Sequence, residues 1–96
     1  MTAYVIYLRE RVLDQAEIDL YRQMAPTARV GHSVSRLAFY GDFDTLEGEP
    51  FVGAAVLAFP SMAEARAWYD SPAYQEAAAH RQAGAQGRMF IIDGLD

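Results

Sequence analysis

Apolar and polar positions change period along this chain, from two to about 3.6 and back, and the changes mark its elements. Residues 3–9, AYVIYLR, are β-branched and aromatic. They predict a strand with Tyr4, Ile6 and Leu8 on one face and Val5 and Tyr7 on the other. Asp14, with Glu17 three positions on, reads as a helix cap. The helix that follows turns Ile18, Leu20, Tyr21, Met24 and Ala25 inward and ends near Pro26. Residues 27–32 read as a loop, 33–40 as a second strand, and 41–50 as an acidic, turn-rich connection carrying Asp42, Asp44, Glu47 and Glu49. Residues 51–59, FVGAAVLAF, predict a third strand apolar on both sides, with Gly53 a weak spot or a place of close approach. Residues 88–93, RMFIID, are the fourth strand.

The densest signals lie between the third and fourth strands, in residues 59–81, FPSMAEARAWYDSPAYQEAAAHR. Ser61 followed by Glu64 is a capping-box pattern, so a helix begins at Met62 and turns Met62, Ala65, Trp68 and Tyr69 inward. Ser71 then caps a second helix whose first position is Pro72, where the missing amide proton costs nothing. This helix runs through Gln82 or Ala83, is ended by Gly84 and Gly87, and carries an inward stripe of Tyr74, Ala77, Ala78 and Arg81. An arginine therefore closes an otherwise apolar face.

The order β-α-β-β-α-β, with the second helix split, predicts an α+β, ferredoxin-like domain spanning 1–96: a four-stranded antiparallel sheet with helices on one face. The other face of such a sheet is polar when it meets water. Here the first, third and fourth strands are apolar at nearly every position, and no spare segment remains to cover them. A second copy of the same sheet is the simplest cover, which predicts a homodimer.

Composition narrows the function without naming it. The formal net charge of −5 leaves no electrostatic footprint for nucleic acid or for an anionic membrane surface. The chain has no cysteine and no lysine, which removes thiolate, disulfide and Schiff-base chemistry. With no signal-peptide pattern and no long apolar run, the cytoplasm is the default location. No phosphate-cradling glycine loop, nucleophile elbow, calcium loop or zinc motif occurs, so neither a metal nor a cofactor is implied.

Phe59, Pro60 and Ser61, then Ala65, Trp68, Tyr69, Ser71, Pro72, Tyr74 and Arg81, together resemble the signature of the bacterial family numbered 1330 in the domain-of-unknown-function series. Leu46-Glu47-Gly48 and Asp93-Gly94 also fit, so the resemblance covers almost the whole chain. It departs from the family at Gly31-His32-Ser33, where a glycine pair and a basic residue are usual, and at Gly53 or Ala54. The resemblance implies a dimeric α/β barrel with no settled activity. Other members of that superfamily include monooxygenases, isomerases and haem-degrading proteins that use the space between sheet and helices.

Two readings of function follow. The first is a small-molecule pocket between sheet and split helix, in a binding protein or a cofactor-independent enzyme. Arg81 would clamp an anion there, Trp68, Tyr69 and Tyr74 would form an aromatic wall, and His32 at the pocket mouth would act as general base. Glu47 is a further candidate at this site, and an Arg81–Glu47 ion pair is the competing structural role for the arginine. The second reading is a non-enzymatic accessory module whose dimer is the functional unit. An enclosed polar-lined cavity containing Arg81 or His32 favours the first, and a solidly packed core favours the second. His80, four residues after Glu76, reads as a surface helix pair.

Overall fold

Alternation along the first strand sets the architecture. In the computed structural model, which describes residues 1–96, β1 (Ala3–Val12) buries Ala3, Val5, Tyr7 and Arg9 on one face and leaves Tyr4, Ile6 and Leu8 half-buried on the other. Around it are α1 (Gln15–Ala28), β2 (Ser35–Phe39), β3 (Gly53–Phe59), α2 (Met62–Asp70), α3 (Pro72–Gly84) and β4 (Ala85–Asp93). The strands form one sheet of order β2-β3-β1-β4 with every pair antiparallel. This is the ferredoxin-like arrangement of the α+β class.

Register carries the two faces across the sheet. Val5 lies opposite Leu57 and Ile91, and Tyr7 opposite Ala55 and Met89, on the side covered by helices. Ile6 lies opposite Val56 and Phe90 on the bare side, where Phe90 is 49% and Ile92 52% exposed. On the covered side Val5, Leu57, Phe59, Ala65, Trp68, Tyr74 and Ala78 form the core with Ala28 of α1. Each large side chain buried there stabilises by about 1.5–3 kcal/mol.

The helix boundaries follow local chemistry. Ser61 Oγ accepts from Glu64 N at 3.1 Å, starting α2. Ser71 donates its hydroxyl to Trp68 O at 2.8 Å and accepts from Tyr74 N at 3.2 Å, so one side chain ends α2 and begins α3. Asp14 Oδ1 accepts from Ala16 N at 3.0 Å at the start of α1.

Several expectations are corrected by long-range packing. α1 continues past Pro26 to Ala28, because a proline in the last turn forfeits only one intrahelical bond. Leu20 points to solvent. β1 runs beyond Arg9 to Val12, since past a register shift it pairs with the early residues of β4. β2 and β3 are shorter than their apolar runs.

Gly84 and Gly87 are not left-handed stops, as neither has positive φ. Gly84 is where α3 crosses the start of α1. Its carbonyl accepts from Leu13 N and Asp14 N at 2.7 and 3.1 Å, and a Cβ there would lie 2.9 Å from Asp14 O. Gly87 sits within β4, where a Cβ would run into Leu8 O. His80 reaches across the same crossing, with Nδ1 2.6 Å from Glu17 Oε2, and does not pair with Glu76.

Candidate functional site

α1 lies along α3 and leaves a cavity of about 520 Å³ between itself and the β2 side of the sheet. That volume falls within the range typical of small-molecule sites. Tyr21, Arg22, Ala25 and Pro26 of α1 and Arg29 just after it line one side. The opposite wall comes from Arg9 near the end of β1, Arg36 and Phe39 on β2, and Tyr40 and Val52 beside them. Four arginines therefore line one space with no carboxylate among its lining residues. None of the four takes part in an ion pair.

The cations rest on aromatic rings. Arg9, only 9% exposed, has its Cζ 4.9 Å from the Tyr40 ring centre and 5.6 Å from that of Tyr7. Arg29 and Arg36 flank Phe39 at 5.7 and 5.2 Å. The Phe39 and Tyr40 rings meet edge to face at 4.7 Å, joining the two groups into one wall. Tyr40 is held in place at a cost. Its φ is 57°, a left-handed conformation that costs a non-glycine residue about 1–2 kcal/mol. Gly53 makes room for the ring, since a Cβ there would lie 3.2 Å from Tyr40 Cδ1. Close approach, one of the two readings of this glycine, is the one the structure bears out.

Behind the cavity lies a crevice of about 20 Å³ among Tyr7, Tyr21, Arg29, Tyr40, Trp68 and neighbouring apolar groups, room for about one water molecule. Tyr7 Oη and Trp68 Nε1 are buried here without a protein hydrogen-bond partner, as are Arg9 Nε and Arg81 Nε. Tyr21 and Tyr74 join hydroxyls at 2.9 Å. Burial, then the neighbouring Tyr74, push the Tyr21 hydroxyl well above the ordinary phenol range, and burial raises Tyr40 as well. Burial first and the Arg36 charge second pull the Arg29 guanidinium down. At neutral pH these arginines and tyrosines are cations or neutral proton donors. The wall is suited to holding negative charge and offers no base to take a proton.

The residues expected at a site are distributed differently. Trp68 and Tyr74 are core, 2% and 0% exposed, with ring centres 4.1 Å apart, and only Trp68 reaches the crevice. Trp68 and Tyr69 both line a separate groove of about 370 Å³ between α2 and the sheet, with Met62, Arg66, Met89 and Phe90. Arg81 is buried behind the cavity, 5.1 and 5.8 Å from the Tyr7 and Tyr21 rings. No Arg81–Glu47 ion pair forms, because Glu47 is exposed in the connection before β3. His32 is half-buried in the turn after α1, its amide on Arg29 O at 3.1 Å, and does not line the cavity. The cavity thus opens under α1 and not under the split helix. Arg9, Arg29, Arg36, Tyr21 and Tyr40 were the residues missed. Arg9 alone carried a signal, as the next inward position after Val5 and Tyr7.

No three His, Asp or Glu side chains come together as a metal site, and no helix is long and apolar enough to cross a membrane. No curated protein matches the chain. Among solved structures it is similar to RPA0582 of Rhodopseudomonas palustris, a protein of unknown function. The TM-score is 0.78 at 19% identity, over 99% of this chain and 83% of that one. A dimeric, ferredoxin-like protein of unknown function from Bacteroides fragilis matches with TM-score 0.65 and 10% identity, over 97% and 96%. SnoaB, a cofactor-independent oxygenase from Streptomyces nogalater, matches with TM-score 0.63 and 12% identity, over 99% and 93%. At these identities the likeness is one of fold. Residues 2–95 match the family DUF1330, a domain of unknown function, and the chain belongs to that family.

Proposed function

We propose that residues 1–96 act as one homodimeric domain that binds a small, flat, anionic molecule in the cavity between α1 and the sheet. One observation carries this reading: a chain of net charge −5 lines a single cavity with four arginines and no carboxylate. Structural arginines in an acidic protein find acidic partners nearby, and these have none. Their planar forks suit bidentate contact with a carboxylate or phosphate, and Tyr21, Phe39 and Tyr40 offer faces for an aromatic body.

The bare sheet face supports the dimer, with Tyr4, Ile6, Leu8 and Val56 half-buried beside exposed Phe90 and Ile92. Solved neighbours include proteins described as dimeric. A cofactor-independent enzyme is compatible with the same cavity. Its donors would stabilise an anion already present in, or developing on, the substrate. The oxygenase among the neighbours shares the fold and nothing closer.

Thermal shift against aromatic carboxylates and their neutral amides tests the binding. A carboxylate present at a hundredfold over its Kd stabilises the protein by about 2.7 kcal/mol, whereas the amides give no shift and Arg9→Met abolishes the response. Equal shifts with the amides would refute an anion site.

A further inference from the structure

Three of the four cavity arginines, Arg9, Arg29 and Arg36, rest on the aromatic wall. Arg9 sits at the buried end of the aromatic wall, against Tyr40, whereas Arg29 and Arg36 both lie against Phe39, Arg36 exposed and Arg29 half-buried and reaching the crevice behind the cavity. The cations thus rest on two different rings, Tyr40 and Phe39, whose centres are 4.7 Å apart. Neither end has a protein anion to neutralise it.

A ligand with one acidic group satisfies one end only. If it enters head first and meets Arg9, the Arg29–Arg36 pair keeps two like charges beside the Phe39 ring. If it stops at the rim, Arg9 stays buried with its Nε unpartnered. Both costs disappear when one molecule reaches both ends.

We infer that the ligand is a dianion, with two oxyanionic groups at opposite ends of a short flat body, the inner one held by Arg9 and the outer one by Arg29 and Arg36. This rests on the cavity being an anion site and adds the number and placement of the charges. Either group can be a carboxylate or a phosphate, since the guanidinium fork accepts both.

Isothermal titration with benzoate, terephthalate and carboxyphenyl phosphate, against the wild type and Arg36→Met, separates the possibilities. Arg36 is exposed and unpaired, so its loss leaves the fold intact. The expected result is that at least one of the dianions binds roughly tenfold or more tighter than benzoate, the step for one added charge-assisted contact. Arg36→Met should cut that advantage, so that the dianions bind within about twofold of benzoate measured on the same variant. A gain confined to the phosphate-bearing probe supports the inference and identifies the outer group as phosphate. Equal affinity for benzoate and both dianions overturns the two-group inference and leaves a single-anion site standing. If none of the three binds, the inference falls together with the anion-site reading.

Discussion

Replacing Arg81 by methionine should stabilise the domain. The guanidinium is 7% exposed, has no ion-pair partner and keeps its Nε without a hydrogen-bond partner. Burying a cation in this way costs several kcal/mol after relaxation. The Tyr7 and Tyr21 rings, at 5.1 and 5.8 Å, return about 1–2 kcal/mol each as cation–π contacts. Burial opposes the Arg81 charge, and Tyr74 and Tyr21 more than offset it in raising the guanidinium's pKa. The coulombic part of that help depends on ionised tyrosines, which are absent at neutral pH, and leaves the Tyr74 hydroxyl only as a neutral hydrogen-bond partner.

Methionine retains most of the aliphatic stem and adds sulfur–aromatic contact. The expected gain is about 1–2 kcal/mol, which for a domain of this size raises Tm by about 5–10 °C. Thermal melts at pH 7 followed by circular dichroism, with urea titrations alongside, measure it. A fall in Tm of similar size would refute the reasoning and assign Arg81 to the scaffold, its charge held by tyrosine hydroxyls more strongly than burial opposes it.

Two further outcomes test the sheet and the tyrosines. The wild type should run as a dimer by light scattering at micromolar concentration. Ile6→Arg, between Val56 and Phe90 on the bare face, should give a folded monomer, because a symmetric interface loses the side chain twice, about 3–6 kcal/mol or more than a hundredfold in association. Stability should also fall at alkaline pH. Tyr21 and Tyr40 have folded pKa values raised above 10.0, so their contribution is complete below about pH 10 and is lost as pH rises from there toward the folded values. Urea midpoints across that range, with Tyr21→Phe showing a shallower decline, check this, and a wild type equally stable at about pH 9 and 11 contradicts it.

What could be read in advance follows the range of the forces involved. Ser61 with Glu64, and Ser71 with Pro72, act within one helical turn, and both helix starts were legible. The two-faced alternation of β1 and β3 is equally local, and with it the sheet and its bare side. The extension of β1 to Val12 depends on β4, some seventy residues away, and its charged residues Glu10 and Arg11 concealed it. The cavity depends on α1 leaning against α3 through Gly84, a contact that no residue of α1 announces by itself. Arg29 and Arg36 therefore looked like ordinary surface cations. Tyr74 and Arg81 were rightly placed on one inward stripe, yet a stripe does not distinguish a wall from a core. Arg81 lay too deep to line the cavity directly.

Helix α1 is fixed along the side that meets α3, where Ile18 is buried and Tyr21 joins its hydroxyl to that of Tyr74, and it is anchored near both ends. One anchor is the crossing at Gly84, reinforced by Glu17 and His80. The other is Ala28, seated in the core. Arg22 and Pro26 of the helix, both exposed, and Arg29 just beyond it line the open space without bearing on either anchor. Truncating these side chains enlarges the chamber and leaves the frame standing, where the same change in a packed core would bring the walls together. A scaffold of this kind can exchange one ligand for another by altering the underside of a single helix, leaving the sheet, the split helix and the bare face as they are.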